Sequence, residues 1–171
     1  EEKSMKSKDD LDSSDVGVSK EDILFRMGNL QAKLGLLKEA IISFQKAKES
    51  TVHQLGNDHI IVADINYNLG NAYRQLSVSS VSPAKKESAR DDAMTCYTES
   101  IRISSALYGK RHISLAECIQ NQGLLYMESQ YSWFNVVHEE RGDDEKNENL
   151  AFDFLKRSLN IRRNDKDNND G

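Results

Sequence analysis

The fold is decided by one stretch of the 171-residue sequence, Asn66-Tyr67-Asn68-Leu69-Gly70-Asn71-Ala72-Tyr73, because parts of it recur at two other places. The upstream copy is Arg26-Met27-Gly28-Asn29-Leu30, and the downstream copy is Gln120-Asn121-Gln122-Gly123-Leu124-Leu125-Tyr126. The glycines lie 42 and then 53 positions apart. Self-similarity at a near-constant spacing is the mark of a repeat architecture.

A second marker supports the longer interval. The segment Leu55-Gly56-Asn57-Asp58-His59-Ile60-Ile61-Val62-Ala63 reappears as Tyr108-Gly109-Lys110-Arg111-His112-Ile113-Ser114-Leu115-Ala116, and its histidines also lie 53 positions apart. Because two separate markers give the same offset, chance similarity is a poor explanation. The equivalent positions of His59 and His112 indicate a helix-start role rather than a catalytic one.

Each glycine is followed by a helical pattern of a small, a large and a second small residue, spaced four and then three positions apart. The spacing places the three residues of a set on one face of a helix. The sets are Ala40, Phe44 and Ala47; Ala93, Tyr97 and Ser100; and Ala151, Leu155 and Ser158. We therefore expect the small residues to admit a partner helix closely, with the large residue filling the space one turn on.

These motifs resemble the tetratricopeptide repeat (TPR). The family's L-G-x-x-Y is present as Leu69-Gly70-Asn71-Ala72-Tyr73, and its A-x-x-x-F as Ala40-Ile41-Ile42-Ser43-Phe44. The long first interval and the Leu-Gly-x-x-His-x-x-Val-Ala segment are similar to the kinesin light chain class of these repeats. The family's Trp position instead holds Leu24, Asn66 and Ile119. The resemblance implies an all-α, right-handed solenoid of three helix-turn-helix repeats with six antiparallel helices.

The predicted domain spans residues 19 to 163, with repeats at about 19–56, 57–109 and 110–163. The sequence predicts helices at about 20–34, 37–55, 58–76, 83–108, 112–131 and 148–162. Serine-rich residues 77–82 and acidic residues 139–149 read as insertions within repeats two and three, although Tyr131, Phe134, Val137 and His138 continue a helical stripe. Residues 1–18 and 164–171 are polar and charged, and we expect both tails to be disordered.

Composition narrows the class of function. The chain has one proline, Pro83, which suits an all-helical protein. Its net charge of −5 argues against nucleic acid as a partner. No apolar run approaches the length that spans a bilayer. Cys96 and Cys118 lack metal-like spacing, and two lone cysteines favour a cytoplasmic location. No nucleotide-binding, nucleophile or zinc motif occurs, so we expect neither an enzyme nor a metal or other cofactor.

The leading hypothesis is a protein-protein interaction scaffold that holds an extended peptide in a concave groove. The resemblance implies that the first helix of each repeat lines that groove, and asparagines there can pair with a peptide backbone of any sequence. The predicted groove residues are Phe25, Asn29, Asp64, Tyr67, Asn68, Asn71, Arg74, Gln75, Glu117, Gln120, Asn121 and Leu124. Solvated helix positions are the competing interpretation.

The groove's charges indicate the kind of partner. Asn29 and Asn68 match two positions of the family's clamp for a terminal carboxylate, but the cationic clamp positions hold Phe25, Glu117 and Asn121. A terminal carboxylate is poorly held without positive charge. Acidic residues at 64, 117 and 128 favour a protein or peptide partner with basic character.

The alternative function is structural assembly. In the family, the positions of Phe152 and Leu159 pack against the next repeat, and here no further repeat follows in the sequence. We therefore predict an exposed apolar patch formed by these residues, with Ile161 as a further candidate. The patch would join two copies in a homodimer or stack against a further repeat in a longer array, unless Trp133 and Phe134 fold over it.

Overall fold

The chain folds into six consecutive α-helices in a computed structural model, which describes residues 19–133 and 142–169. No strand occurs in these residues. The helices are α1 (Lys20–Lys33), α2 (Leu37–Leu55), α3 (Ile60–Ser79), α4 (Pro83–Tyr108), α5 (Ser114–Trp133) and α6 (Gly142–Asn169). Each helix packs against the next along the chain, and packing is most extensive within the pairs α1/α2, α3/α4 and α5/α6. The fold is an all-α solenoid of three helix-turn-helix units, as the sequence predicts.

The helix starts follow local sequence. Ser19 caps α1 and accepts a hydrogen bond from the Asp22 amide at 3.2 Å. The His59 ring accepts one from the Ile61 amide at 3.2 Å, and the His112 ring accepts one from the Ser114 amide at 3.3 Å. A cap of this kind satisfies an amide that has no partner inside the helix. The helix-start role predicted for both histidines is confirmed.

Two glycines end the second helices of repeats one and two. Gly56 has φ 86° and ψ 168°, and Gly109 has φ 86° and ψ 161°. This combination of angles is essentially restricted to glycine. Both residues therefore turn the chain sharply toward the capping histidine of the next repeat.

The glycines at 28, 70 and 123, whose spacing sets the repeat register, mark close helix crossings. A Cβ at Gly28 would lie 2.7 Å from the Phe44 ring, and one at Gly70 would lie 2.7 Å from the Tyr97 ring. At Gly123 the nearest atoms are less close, at 3.2 Å, and they belong to Ala151, Phe154 and Leu155. In every repeat, glycine on the first helix therefore faces the region of the large residue on the second.

The predicted break at residues 77–82 is only partly right, because residues 77–79 are helical. Helix α3 continues to Ser79, and only 80–82 separate it from α4, where Pro83 occupies the first turn. Ser77 donates to the Arg74 carbonyl at 2.7 Å, and Ser79 and Ser80 donate to the Leu76 carbonyl. Serine hydroxyls that bond back to the preceding turn remain compatible with a helix.

The last helix is longer at both ends than predicted. It begins at Gly142 rather than near residue 148. It continues to Asn169, past the predicted end near Arg162 and through most of the predicted tail. Lys166 lies in the last turn, where its positive charge interacts favourably with the negative end of the helix dipole. Phe134, Val137, His138 and residues 1–18 lie outside the described residues.

The core is a series of clusters between adjacent helices. The first joins Phe44 and Ala47 of α2 to Ile65 and Leu69 of α3. Further clusters join Val62 and Ala63 to Ile103, Ala93 and Tyr97 to Leu125, and Leu115 and Ile119 to Ile161. Each unit buries its apolar face against its neighbours, as stacked repeats do. Within the described ranges, no helix is long and apolar enough to cross a membrane.

Candidate functional site

The twelve predicted groove residues all lie on the first helices α1, α3 and α5, and none is fully buried. Asp64, Gln75 and Glu117 are exposed, and the other nine are half-buried. The helical periodicity places four of them in one stripe along α3: Asp64, Asn68, Asn71 and Gln75. A row of this kind is available to a ligand, although accessibility alone does not identify one.

The rows on α3 and α5 are joined at three successive levels. The Tyr67 hydroxyl donates to Glu117 Oε2 at 2.8 Å. One level on, Asn121 Nδ2 donates to Asn71 Oδ1 at 2.9 Å. At the third level, Arg74 pairs with Glu128. We call these three contacts the α3–α5 ladder. It brings together residues about 50 positions apart in the sequence and sets the spacing of the two rows.

Asn71 is the centre of the ladder. Its Oδ1 also accepts a hydrogen bond from the hydroxyl of Tyr97 at 2.7 Å, and the Tyr97 side chain is completely buried. The Asn71 oxygen is thus engaged by two donors of the protein itself. Burial is the largest influence on Tyr97 and raises the pKa of its hydroxyl far above the ordinary value, so the group stays a donor.

Other amides on this face keep more hydrogen-bonding capacity. Asn68 donates from Nδ2 to the Asp64 carbonyl at 2.8 Å, one turn back in the same helix. In the part of the chain that the structure describes, the side chains of Asn29, Gln75 and Gln120 form no hydrogen bond. These amides, rather than Asn71 and Asn121, are the ones suited to meet an incoming backbone.

The contribution of α1 is more apolar. Phe25 is half-buried and lies against Phe44, with ring centroids 5.8 Å apart, so it belongs partly to the core of repeat one. Asp22 pairs with Arg26 at 2.8 Å. The predicted role of Phe25 as an anchor for a ligand is therefore limited to the exposed part of its ring.

The carboxylates of this face are unevenly compensated. Asp22 and Glu128 pair with arginines, whereas Glu117 receives only the neutral Tyr67 hydroxyl. No hydrogen bond or ion pair to the Asp64 carboxylate occurs among the described residues, and partial burial raises its pKa above the ordinary value. Asp64 and Glu117 thus leave excess negative charge on α3 and α5.

Residues 19–133 and 142–169 contain neither a candidate metal site nor an activated thiol. No group of three histidine, cysteine or acidic residues there is placed to hold a metal ion. Cys96 and Cys118 are free and buried, and burial raises the pKa of each thiol to about 11. Ser100 Oγ lies 3.4 Å from Cys118 Sγ. Protonated, enclosed thiols are poor nucleophiles.

The predicted end surface on α6 is partly as expected. Phe152 and Leu159 are 64% and 67% exposed. Ile161, in contrast, is buried against Leu115 and Ile119 of α5, so it does not belong to this surface. The side chain of Trp133 is not among those described, and neither is Phe134, so covering of the patch by these residues stays a prediction.

Comparison with known proteins gives a distant structural similarity. No protein-family model and no curated protein matches the chain. Among solved structures, the chain is similar to BtubC (BKLC) from P. vanneervenii, with 14% sequence identity and a TM-score of 0.49. The match covers 85% of this chain and 64% of that one, so the chain spans about two thirds of the BtubC chain. A similarity this distant transfers no activity or partner.

Proposed function

We propose that this chain is a TPR protein, similar to the kinesin light chain class of long repeats, that works as a non-catalytic protein-protein interaction scaffold. Its first helices hold an extended peptide segment of a partner in a concave groove. The observation that supports this most is the α3–α5 ladder, because it fixes two rows of accessible polar side chains side by side without using all of their hydrogen-bonding groups. A preorganised surface loses little side-chain entropy when a ligand binds.

The partner's chemistry follows from the groove's charges and amides. Amides such as Gln75 and Gln120 both donate and accept, so they suit the backbone of an extended chain. The uncompensated charge of Asp64 and Glu117 favours lysine or arginine in the bound segment.

The test is a quantitative pull-down from lysate with a variant that leaves the ladder intact. The triple variant Asp64→Lys/Asn68→Ala/Gln75→Ala changes side chains of the α3 stripe that form no hydrogen bond or ion pair with another described helix. A matched control, Ser88→Ala/Asp91→Lys/Thr95→Ala, makes the same charge change on exposed positions of α4. We expect the first variant to lose one discrete partner that the control retains. An unchanged set of partners, at equal folded fraction, would contradict the groove.

A second candidate function, assembly through α6, is favoured by repeat register. Phe152 is equivalent to Ile41, which is buried against α3, and Leu159 is equivalent to Ile101, which packs against α5. The same positions on α6 expose their side chains. A self-associating module would bury them against a second copy.

Sedimentation separates the two functions. If α6 mediates association, the wild type and the polar control Asn160→Asp sediment as dimers at micromolar concentration, and Phe152→Asp/Leu159→Asp sediments as a monomer. If the wild type is a monomer over the same concentration range, the homodimer hypothesis is excluded and the groove proposal is unaffected.

A further inference from the structure

A cavity of about 120 Å³ lies where the start of α1, the end of α2 and the start of α3 meet. Its apolar wall is formed by Phe25, Ile61 and Ile65, and its polar groups include Glu21 and Thr51. An engineered protein cavity of about 150 Å³ accommodates benzene. The space therefore suits one long side chain or a molecule of similar size, and it is too small for a peptide segment.

Thr51 is the unusual residue in this cavity. Its side chain is 98% buried, at 2% exposure, yet its Oγ1 forms no hydrogen bond with any described protein atom. Three other buried hydroxyls are paired: Ser43 donates to Gln31, Ser77 to a carbonyl of its own helix, and Ser158 to the Ala116 carbonyl. Because buried polar groups are nearly always paired, this hydroxyl is an exception at the wall of the cavity.

A carboxylate, that of Glu21, also lines the cavity. Glu21 Oε1 accepts hydrogen bonds from Ser50 and, at 2.7 Å, from Gln54, which are both neighbours of Thr51 in the helical turn of α2. The Ser50 hydrogen bond is the largest influence on Glu21 and keeps its pKa below the ordinary value. Both donors are neutral, so they orient the charge of Glu21 without cancelling it.

No cationic side chain lines the cavity. Asp22, which also lines it, is compensated by Arg26, so Glu21 carries the uncompensated charge. The combination of an apolar wall and a carboxylate complements an aliphatic stem that ends in a compact cation. Lysine has this form, whereas the guanidinium of arginine is broader and planar.

We propose that the cavity binds a lysine side chain from the extended segment of the partner. The methylene stem lies against Phe25, Ile61 and Ile65, and the ammonium donates to the Glu21 carboxylate. Asp64 follows Ile61 by one turn of α3, so a segment anchored here continues onto the acidic stripe of the groove. This inference rests on the proposed peptide-binding function and specifies one residue of the bound segment.

The direct test uses n-butylammonium chloride as a probe for the lysine side chain. Methyl-labelled protein is titrated, and the signals of Thr51, Ile61 and Ile65 are followed by NMR at constant ionic strength. We expect saturable shifts with butylammonium and much weaker ones with 1-butanol or n-butylguanidinium. Equal shifts with 1-butanol, or no saturable shift with butylammonium, would overturn the proposal.

Three variants identify the groups involved. Glu21→Gln keeps the shape and removes the charge, and we expect it to weaken binding about tenfold, since a charge-assisted hydrogen bond is lost. Thr51→Val is isosteric and removes a hydroxyl whose oxygen has almost no accessible surface, so we expect it to bind the probe like the wild type. Glu39→Gln, an exposed acidic position at the start of α2, is the matched control and binds like the wild type. Wild-type affinity in Glu21→Gln would refute the assignment.

The outcome is distinguishable from failure of the groove itself. If a partner depends on the α3 stripe but binds Glu21→Gln as tightly as the wild type, the lysine cavity is wrong and the scaffold function stands. If no partner depends on the α3 stripe although butylammonium binds as expected, the cavity stands and the groove proposal fails.

Discussion

Adding a single methyl group at Gly70 tests the central packing contact of repeat two. The new Cβ would lie 2.7 Å from Cε1 and 2.8 Å from Cδ1 of Tyr97. The ring is completely buried and its hydroxyl is held by Asn71, so it has little freedom to retreat. Overpacking of this kind costs about 1–3 kcal/mol, and the short distances place Gly70→Ala in the upper half of that range.

Helix propensity acts in the opposite direction. Alanine is better than glycine inside a helix by about 1 kcal/mol. The net effect of Gly70→Ala is therefore a loss of about 1–2 kcal/mol in the free energy of unfolding. With a urea m-value of about 2 kcal/mol/M, this lowers the unfolding midpoint by about 0.5 to 1 M. Far-UV circular dichroism during urea titration measures the shift.

The chain offers its own matched control at Gly123. There a Cβ would meet its nearest neighbours at 3.2 Å, including Cγ of Leu155 where the other repeats have an aromatic ring. A displacement of a few tenths of an ångström relieves that contact, so we expect Gly123→Ala to be close to neutral. In the same way, Tyr97→Leu is expected to reduce the extra cost of Gly70→Ala. Equal or greater stability of Gly70→Ala than of the wild type would refute the packing argument.

Other predictions concern the same repeats. Asn71→Ala removes the hydrogen-bond acceptor of the buried Tyr97 hydroxyl and is expected to lower the free energy of unfolding by about 1–3 kcal/mol. Adding Tyr97→Phe is expected to recover part of this loss. Additive losses in a double-mutant cycle would refute the coupling. Gly109→Ala forces a side chain into a glycine-only conformation and is expected to lower stability by about 1–3 kcal/mol, so an unchanged thermal midpoint would contradict that assignment. A thiol pKa of about 11 for Cys96 and Cys118, against an ordinary 9, lowers the thiolate fraction at pH 8 about a hundredfold, so alkylation is expected to be slow until urea unfolds the chain. The same raised values mean that the folded chain binds more protons than the unfolded chain between pH 9 and 11, so stability falls as pH rises through that window, and replacing both thiols by alanine reduces the slope.

The repeat architecture was predictable because each glycine carries steric information. Gly28 and Gly70 leave room for Phe44 and Tyr97, and no larger residue fits without displacement of a ring. That requirement appears in the sequence as a recurring pair of positions. The helix-starting histidines were predictable for the same reason, since the amides that they cap recur with the helices.

Other features were not visible in the sequence because they depend on neighbours far along the chain. Asn66 is completely buried, donates to the Val62 carbonyl and accepts from Lys48 of α2, yet it reads as one more polar residue among several asparagines. The engagement of Asn71 by Asn121 depends on the side-by-side placement of α3 and α5. The helical conformation of residues 77–79 was not predictable, because serine is compatible with both loops and helix ends.

The extra length of the second repeat gives the molecule an uneven edge. Helix α4 has 26 residues and α2 has 19, and because Gly56 and Gly109 end them in equivalent register, the surplus projects from the edge where α3 turns into α4. At 1.5 Å per residue, the overhang is about 10 Å. A large globular partner approaching from that edge touches this projecting hairpin before it reaches the first repeat. The opposite edge, where the lysine-sized cavity opens, is the less obstructed route of entry.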